Sequence, residues 1–201
     1  MLTIPQGFES LEATSLYSRA GARKYLNAEE LDRLLEAIGA LPTEERLFAL
    51  TLFWTGARIS EVLALRRLSF QIHDCLVTVR TLKRRRFSIR EIPLPPDLVA
   101  AIGQHFRLDQ CGEQRLWPWS RTKGWRIFRR VMHDAGLSGV AACPRGVRHS
   151  FAIAALRSQV PLTLLQKWLG HARLSTTAIY LGATGPEERE FAERFWKAIG
   201  H

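Results

Sequence analysis

Four short segments of the chain carry side chains that could work on an anion. In Thr55-Gly56-Ala57-Arg58-Ile59-Ser60-Glu61, a guanidinium stands at a helix start and a carboxylate follows three residues on, on the same face. The planar fork of Arg58 could hold a phosphate there, helped by the helix amides, although R-x-x-E is also an ordinary solvated helix pair. Between Arg80 and Arg90, six of eleven residues are basic, namely Arg80, Lys83, Arg84, Arg85, Arg86 and Arg90. A turn so dense in cations can lie along a polyanion backbone, or it can be a solvated turn that guards an edge strand. In Pro144-Arg145-Gly146-Val147-Arg148-His149-Ser150-Phe151-Ala152, Arg145 and Arg148 stand three apart beside His149 at a helix start, a good place for phosphate. His149 lies against an apolar stretch and reads equally as a packing histidine. The last segment sets His171 just past Gly170 and Tyr180 nine residues later, where a tyrosine at helical spacing is otherwise a core residue.

The elements that must carry these groups are mostly helical. Asn27 offers a cap with Glu30 three residues on, ahead of Leu31, Leu34, Leu35 and Ile38 at helical spacing. A second helix starts at Thr43 after Pro42, has Glu44 and Glu45 in its first turn, and stops at Gly56. A short third helix runs from Ile59 to Leu65. Leu76-Val77-Thr78-Val79 and Phe87 to Ile92 are β-prone and flank the basic turn, with a further short strand around Phe70 to Ile72. Further helices are predicted at 97–106, 122–135, 147–158, 162–169, around 175–182, and from Pro186 to Ile199. The fold class is therefore mainly α with a small antiparallel β-sheet (α+β). The predicted organisation is a loose leader or linker over 1–24, a catalytic domain over 25–185, and a C-terminal helix over 186–201.

Composition narrows the function classes. An apolar content of 46% and a charged content of 24% are those of a folded chain, which argues against disorder. No apolar run approaches the roughly 18 residues of a membrane span, and the N-terminus lacks a signal-peptide pattern. Cys75, Cys111 and Cys143 are far apart and form no C-x-x-C pair, which argues against a disulfide framework or a zinc site and fits a cytoplasmic protein. The formal charge of +10 and a pI near 10.4 point to a polyanionic partner. Nucleic acid is the first candidate; a basic unrelated enzyme and a membrane-surface protein are the others.

Taken together and in order, the segments resemble the tyrosine recombinase/integrase family. The resemblance rests on T-G-x-R-x-S-E at 55–61, a lysine on a β-turn, R-H-S-F-A at 148–152, L-G-H-A at 169–172, and Tyr180 nine residues after His171. It covers about Tyr25 to Leu181. The runs Pro144 to His149 and Gly170 to Leu181 are similar to a plasmid- and transposon-borne branch of that family. The resemblance implies the DNA breaking-rejoining fold and a metal- and ATP-independent DNA strand transferase acting on double-stranded DNA. It further implies a dimer to tetramer on DNA, with no membrane and no cofactor; the sequence itself has no P-loop and no carboxylate cluster for magnesium.

In such enzymes a tyrosine hydroxyl attacks a backbone phosphorus to give a 3′-phosphotyrosyl link and a free 5′-hydroxyl. Tyr180 matches the nucleophile, Arg58 and Arg148 the two arginines on the non-bridging oxygens, and His171 the histidine that donates to the phosphate. Lys83 matches the general acid of the β-turn, since an arginine with a pKa above about 12 is a poor acid. Glu61 and His149 match supporting positions, and Arg80, Arg84, Arg85, Arg86 and Arg90 are assigned to DNA contact. One departure is Arg145, where relatives usually have a histidine; an arginine can donate to phosphate but cannot take a proton from Tyr180. Another is the length of the leader, too short for the core-binding domain that most relatives carry, which suggests a one-domain clamp, a helper protein or a truncated ancestor. The helix from Pro186, with Phe191, Phe195, Trp196 and Ile199, either packs on its own core or docks on a neighbouring copy. A type IB topoisomerase, a non-catalytic DNA-binding regulator and an RNA-binding protein are the competing readings. Neutralising Arg84, Arg85 and Arg86 together should flatten the salt dependence of DNA binding by about 2 to 3 log units per log unit of salt. Filter binding across a salt series reads this directly, and an unchanged slope would place the turn off the DNA.

Overall fold

The computed structural model describes residues 15–81, 88–108, 113–182 and 186–200. Helix α1 (Ala28–Gly39) opens on the capping box expected of Asn27 and Glu30: Asn27 Oδ1 accepts from the Glu30 amide at 2.8 Å, and Glu30 Oε2 accepts from the Asn27 amide at 2.7 Å. Helix α2 (Thr43–Thr55) is buried on nearly every side, through Leu47, Phe48, Ala49, Leu52 and Phe53. It is the central strut of the larger core, which is what an apolar surface around a whole helix requires. Its two buried threonines turn their hydroxyls back onto carbonyls four residues earlier, Thr51 onto Leu47 and Thr55 onto Thr51.

Helix α2 ends at Gly56 with φ 56° and ψ 16°, a left-handed cap. A Cβ at that position would sit 2.4 Å from Phe151 Cδ1, so only glycine lets the chain turn under that ring and deliver Arg58. Helix α3 (Ile59–Val62) is shorter than its apolar pattern predicts; Ala64 and Leu65 close tighter i→i+3 bonds onto Glu61 and Val62 instead. A 3₁₀ turn at Arg67–Ser69 then leads into an antiparallel sheet of order β1-β2-β3, formed by Phe70–Gln71, Leu76–Arg80 and Ile89–Pro93. The register sets Val77 opposite Ile92 and Val79 opposite Arg90, all four buried.

Five more helices follow: α4 (Pro96–Phe106), α5 (Arg121–Asp134), α6 (Pro144–Arg157), α7 (Leu162–Leu169) and α8 (Leu174–Ala178). A 3₁₀ turn at Ile179–Gly182 carries Tyr180, and α9 (Pro186–Ala198) closes the chain. The buried side chains fall into two clusters. The larger gathers α1, α2, α4, α5 and the sheet; the smaller gathers Leu16, Tyr25, Ala152, Ile153, Leu156, Leu165, Leu169 and Tyr180. Helix α6 serves both, with Val147 in the first and Ala152 in the second, so Arg148 and His149 lie at the seam between them.

The described part of the predicted leader, 15–24, is anchored at one point: Leu16 is buried in the same cluster as Tyr25, and Tyr17 forms a β-bridge with Arg23. The segment is short in regular structure but anchored by two large apolar side chains, a signal that helical periodicity cannot register. Arg90, assigned to DNA contact, is 3% exposed and points into the core from β3. Alternation along the strand puts it on the same face as Ile92, away from solvent.

Candidate active site

Arg58 caps α3 and is held by Glu61. The carboxylate accepts the Arg58 amide at 3.0 Å through Oε2 and its guanidinium at 2.9 Å through Oε1. Glu61 is itself buried, and Arg90 Nη2 donates to Oε2 at 2.6 Å. The same Arg90 donates from Nε to the Trp168 carbonyl at 2.6 Å and from Nη1 to Thr81 Oγ1 at 3.0 Å. Burial by itself would raise the pKa of Glu61, but the charges and hydrogen bonds of Arg90 and Arg58 outweigh it and hold the carboxyl below its usual range. A buried carboxylate with two guanidinium partners thus fixes Arg58, whose side chain stays about three-tenths exposed.

Arg148 is clamped between two helix ends. Its Nη1 donates to the Gly56 carbonyl and its Nη2 to the Leu169 carbonyl, each at 2.7 Å. These carbonyls belong to the C-terminal ends of α2 and α7, where the helix dipoles favour a cation. Burial first, and Arg58 second, push the Arg148 pKa down to about 10, against the pull of Tyr180 and Glu61. Arg148 therefore stays charged at neutral pH, and among the described residues its guanidinium pairs with two neutral carbonyls and no carboxylate, which suits it to bind an anion.

Helix α7 ends at Gly170 with φ 65°, and a Cβ there would lie 3.0 Å from the Arg90 guanidinium. The turn it permits brings His171 back over the site. His171 Nδ1 sits 2.9 Å from Thr177 Oγ1, and its ring stacks on that of Tyr180 with centroids 6.4 Å apart and planes 12° from parallel. Burial, then Arg148, Arg58, His149 and Arg90, lower its pKa to about 3, so the imidazole is neutral. Tyr180 is 2% exposed, and its hydroxyl lies 3.1 Å from His149 Nδ1. Burial raises the pKa of the phenol more than Arg148, Arg145 and Arg58 lower it.

The structure therefore brings Arg58, Arg145, Arg148, His149 and His171 together about Tyr180, with Glu61 behind Arg58 and Arg145 on the exposed first turn of α6. Arg80 is exposed at the end of β2. Lys83, Arg84, Arg85 and Arg86 lie outside the described residues. Sequence reasoning missed Thr177, which orients His171, and the true work of Arg90, which ties Glu61 to the turn before His171. The signal for Arg90 was its parity with Ile92; that for Thr177 was its place three residues before Tyr180 in a short polar helix.

A family model described as the phage integrase family matches residues 24–185. The tyrosine recombinase XerA of Pyrococcus furiosus is 33% identical over 180 residues, covering 85% of this chain and 61% of XerA. The chain thus spans about three-fifths of that relative's length. A crystal structure of XerA recombinase superposes with a TM-score of 0.72 at 25% identity, over 85% of this chain and 64% of that one. XerH site-specific recombinase in a post-cleavage complex with difH substrate shares the fold, with a TM-score of 0.69 at 24% identity over 87% of this chain and 53% of XerH. With most of its length matched and its helices and sheet arranged as in these structures, the chain belongs to the phage integrase family.

Proposed function

We propose that this chain is the catalytic part of a site-specific DNA recombinase that cleaves and rejoins strands through a 3′-phosphotyrosyl intermediate on Tyr180. The observation that carries the reading is that Arg58, Arg148 and His171 meet at the buried Tyr180: the charges of both arginines act on its phenol, and the imidazole stacks on its ring. A phosphodiester seated between the two guanidinium groups would supply the counter-charge that Arg148 lacks. The pentavalent transition state concentrates negative charge on the non-bridging oxygens, so fixed forks favour it over the ground state. His171, held by Thr177, is placed to donate a further hydrogen bond. Tyr180 Oη gives up its proton to a neighbouring acceptor and forms the new bond to phosphorus as the bond to O5′ breaks, and Lys83 supplies the proton that O5′ takes up. A 5′-hydroxyl from a partner strand reverses the step. One phosphoester replaces another at each stage, so the bond balance needs no ATP, and the two guanidinium groups supply the positive charge at the non-bridging oxygens.

Exchange between two duplexes needs more than one active site, which supports a homo-oligomer on DNA. Helix α9 ties its polar side to α6 through Arg157 and Glu190, with Nε donating to Oε2 at 2.9 Å, and leaves Phe195, Trp196 and Ile199 exposed for a second copy. A second reading, a DNA-binding regulator that does not cleave, draws on the near-complete burial of Tyr180. Capture separates the two. Wild type and Tyr180→Phe are expressed in the native host, lysed in strong detergent and recovered, and any attached DNA is sequenced. DNA with wild type and none with Tyr180→Phe is the expected result; DNA with neither, alongside binding in native gels, would favour the regulator.

A further inference from the structure

Arg145 leaves the attacking hydroxyl without the proton acceptor that its position would otherwise offer, and the structure supplies another. Among the described residues, the hydrogen-bond partner of the Tyr180 hydroxyl is His149 Nδ1, at 3.1 Å. His149 is 6% exposed, and its Nε2 is buried with no hydrogen-bond partner among the described residues. The two tautomers leave different groups unsatisfied. With the proton on Nε2, Nδ1 accepts from the phenol and one buried N–H is left without an acceptor. With the proton on Nδ1, the phenol oxygen accepts, and both its own hydrogen and the Nε2 lone pair go unpaired. The first arrangement leaves fewer polar groups unmet, and it aims a lone pair at the proton that must depart.

We propose that His149 is the general base of strand cleavage, its Nδ1 taking the Tyr180 proton as Oη closes on phosphorus. The inference rests on the reading of Tyr180 as nucleophile. The Oη–H bond breaks toward Nδ1, the Oη–P bond forms, the P–O5′ bond breaks, and O5′ takes its proton from Lys83. On rejoining, the incoming 5′-hydroxyl gives its proton to Lys83 and the departing phenolate recovers one from His149.

The charges around the imidazole fit this cycle. Arg145 and Arg148 face it from its own helix, Lys24 from the N-terminal segment, and Tyr180 and His171 from the turns after α7. Burial first and these cations second push His149 down to about 4, so in the free protein it is neutral with its lone pair available. A phosphodiester bound at Arg58 and Arg148 brings negative charge into the same ring of cations. It offsets them and makes the imidazole a better base as the substrate seats.

The test uses the full chain and the duplex recovered by covalent capture, synthesised with sulfur in place of the bridging 5′-oxygen so that the leaving group needs no acid. His149→Asn keeps a hydrogen-bonding atom near the Nδ1 position but cannot take up a proton. Single-turnover cleavage by this variant should fall about 10²-fold or more at neutral pH. Its rate should also climb with pH toward ionisation of the phenol, while the wild-type rate stays level. Cleavage within about threefold of wild type, with a parallel pH profile, would reduce His149 to a positioning residue and overturn the proposal. Covalent attachment by Tyr180→Phe would instead sink the nucleophile assignment. Long-range proton–nitrogen NMR of the free wild type gives an independent answer should His149→Asn fail to fold. A proton on Nε2 of His149 is expected, and a proton on Nδ1 would contradict the role.

Discussion

Arg148→Lys should lower single-turnover DNA cleavage by about 10²- to 10³-fold, the loss seen when one fixed donor to a developing anion is removed. The charge survives the change, so the loss measures geometry. The planar guanidinium reaches the carbonyls of Gly56 and Leu169 at once and still presents an edge to the phosphate. An ammonium is a single point that cannot span two helix ends and a ligand. The substitution should also lower stability by about 1 to 3 kcal/mol, because a buried carbonyl at the end of α2 or α7 loses its donor. Rapid-quench cleavage at saturating protein, beside a urea melt, reads both. A cleavage rate within about threefold of wild type would mean that Arg148 is a structural clamp and not a phosphate ligand.

Glu61→Ala should cost about 3 to 5 kcal/mol of folding stability, the range for a buried charge that loses its partner. Arg90 would be left in the interior with only the Trp168 carbonyl and Thr81 hydroxyl, and Arg58 would lose both contacts that fix it. The same carboxylate predicts a pH effect. Its native pKa lies below the ordinary value of 4.5, so its contribution is complete above that value and is lost as pH falls through the lower native pKa. Wild type should therefore lose stability in acid below about pH 4.5, and Glu61→Gln should remove part of that loss. Urea melts of the three proteins at neutral and acid pH decide the matter. A Glu61→Ala variant within about 1 kcal/mol of wild type would mean that the buried network adds little to stability.

What could be read from the sequence follows physical lines. Helix starts and stops were legible because caps and left-handed glycines act locally, as at Asn27, Gly56 and Gly170. The roles given to Arg58, Arg148, His171 and Tyr180 came from the ordered motifs that resemble the family, because each segment alone reads equally well as ordinary packing or a solvated helix pair. Arg90 was misassigned because a basic run was read by density, when strand parity with Ile92 had already turned it inward. Leu16 was missed because packing without periodicity leaves no pattern along the chain. The pairing of His149 with Tyr180 joins residues 31 apart across the seam of two apolar clusters, and no local rule reports such a contact. Sequence showed which side chains could act; only the fold shows which of them meet.

On this mechanism the hydroxyl of Tyr180 becomes esterified to DNA. The chain has three tyrosines, and the other two, Tyr17 and Tyr25, lie against each other with hydroxyls 3.3 Å apart. Captured wild-type complexes should be digested with protease and nuclease and the peptides analysed by mass spectrometry for a residual nucleotide. A nucleotide joined through its 3′-phosphate to the peptide that holds Tyr180 is the expected result. A nucleotide on Tyr17, Tyr25 or any other side chain would contradict it.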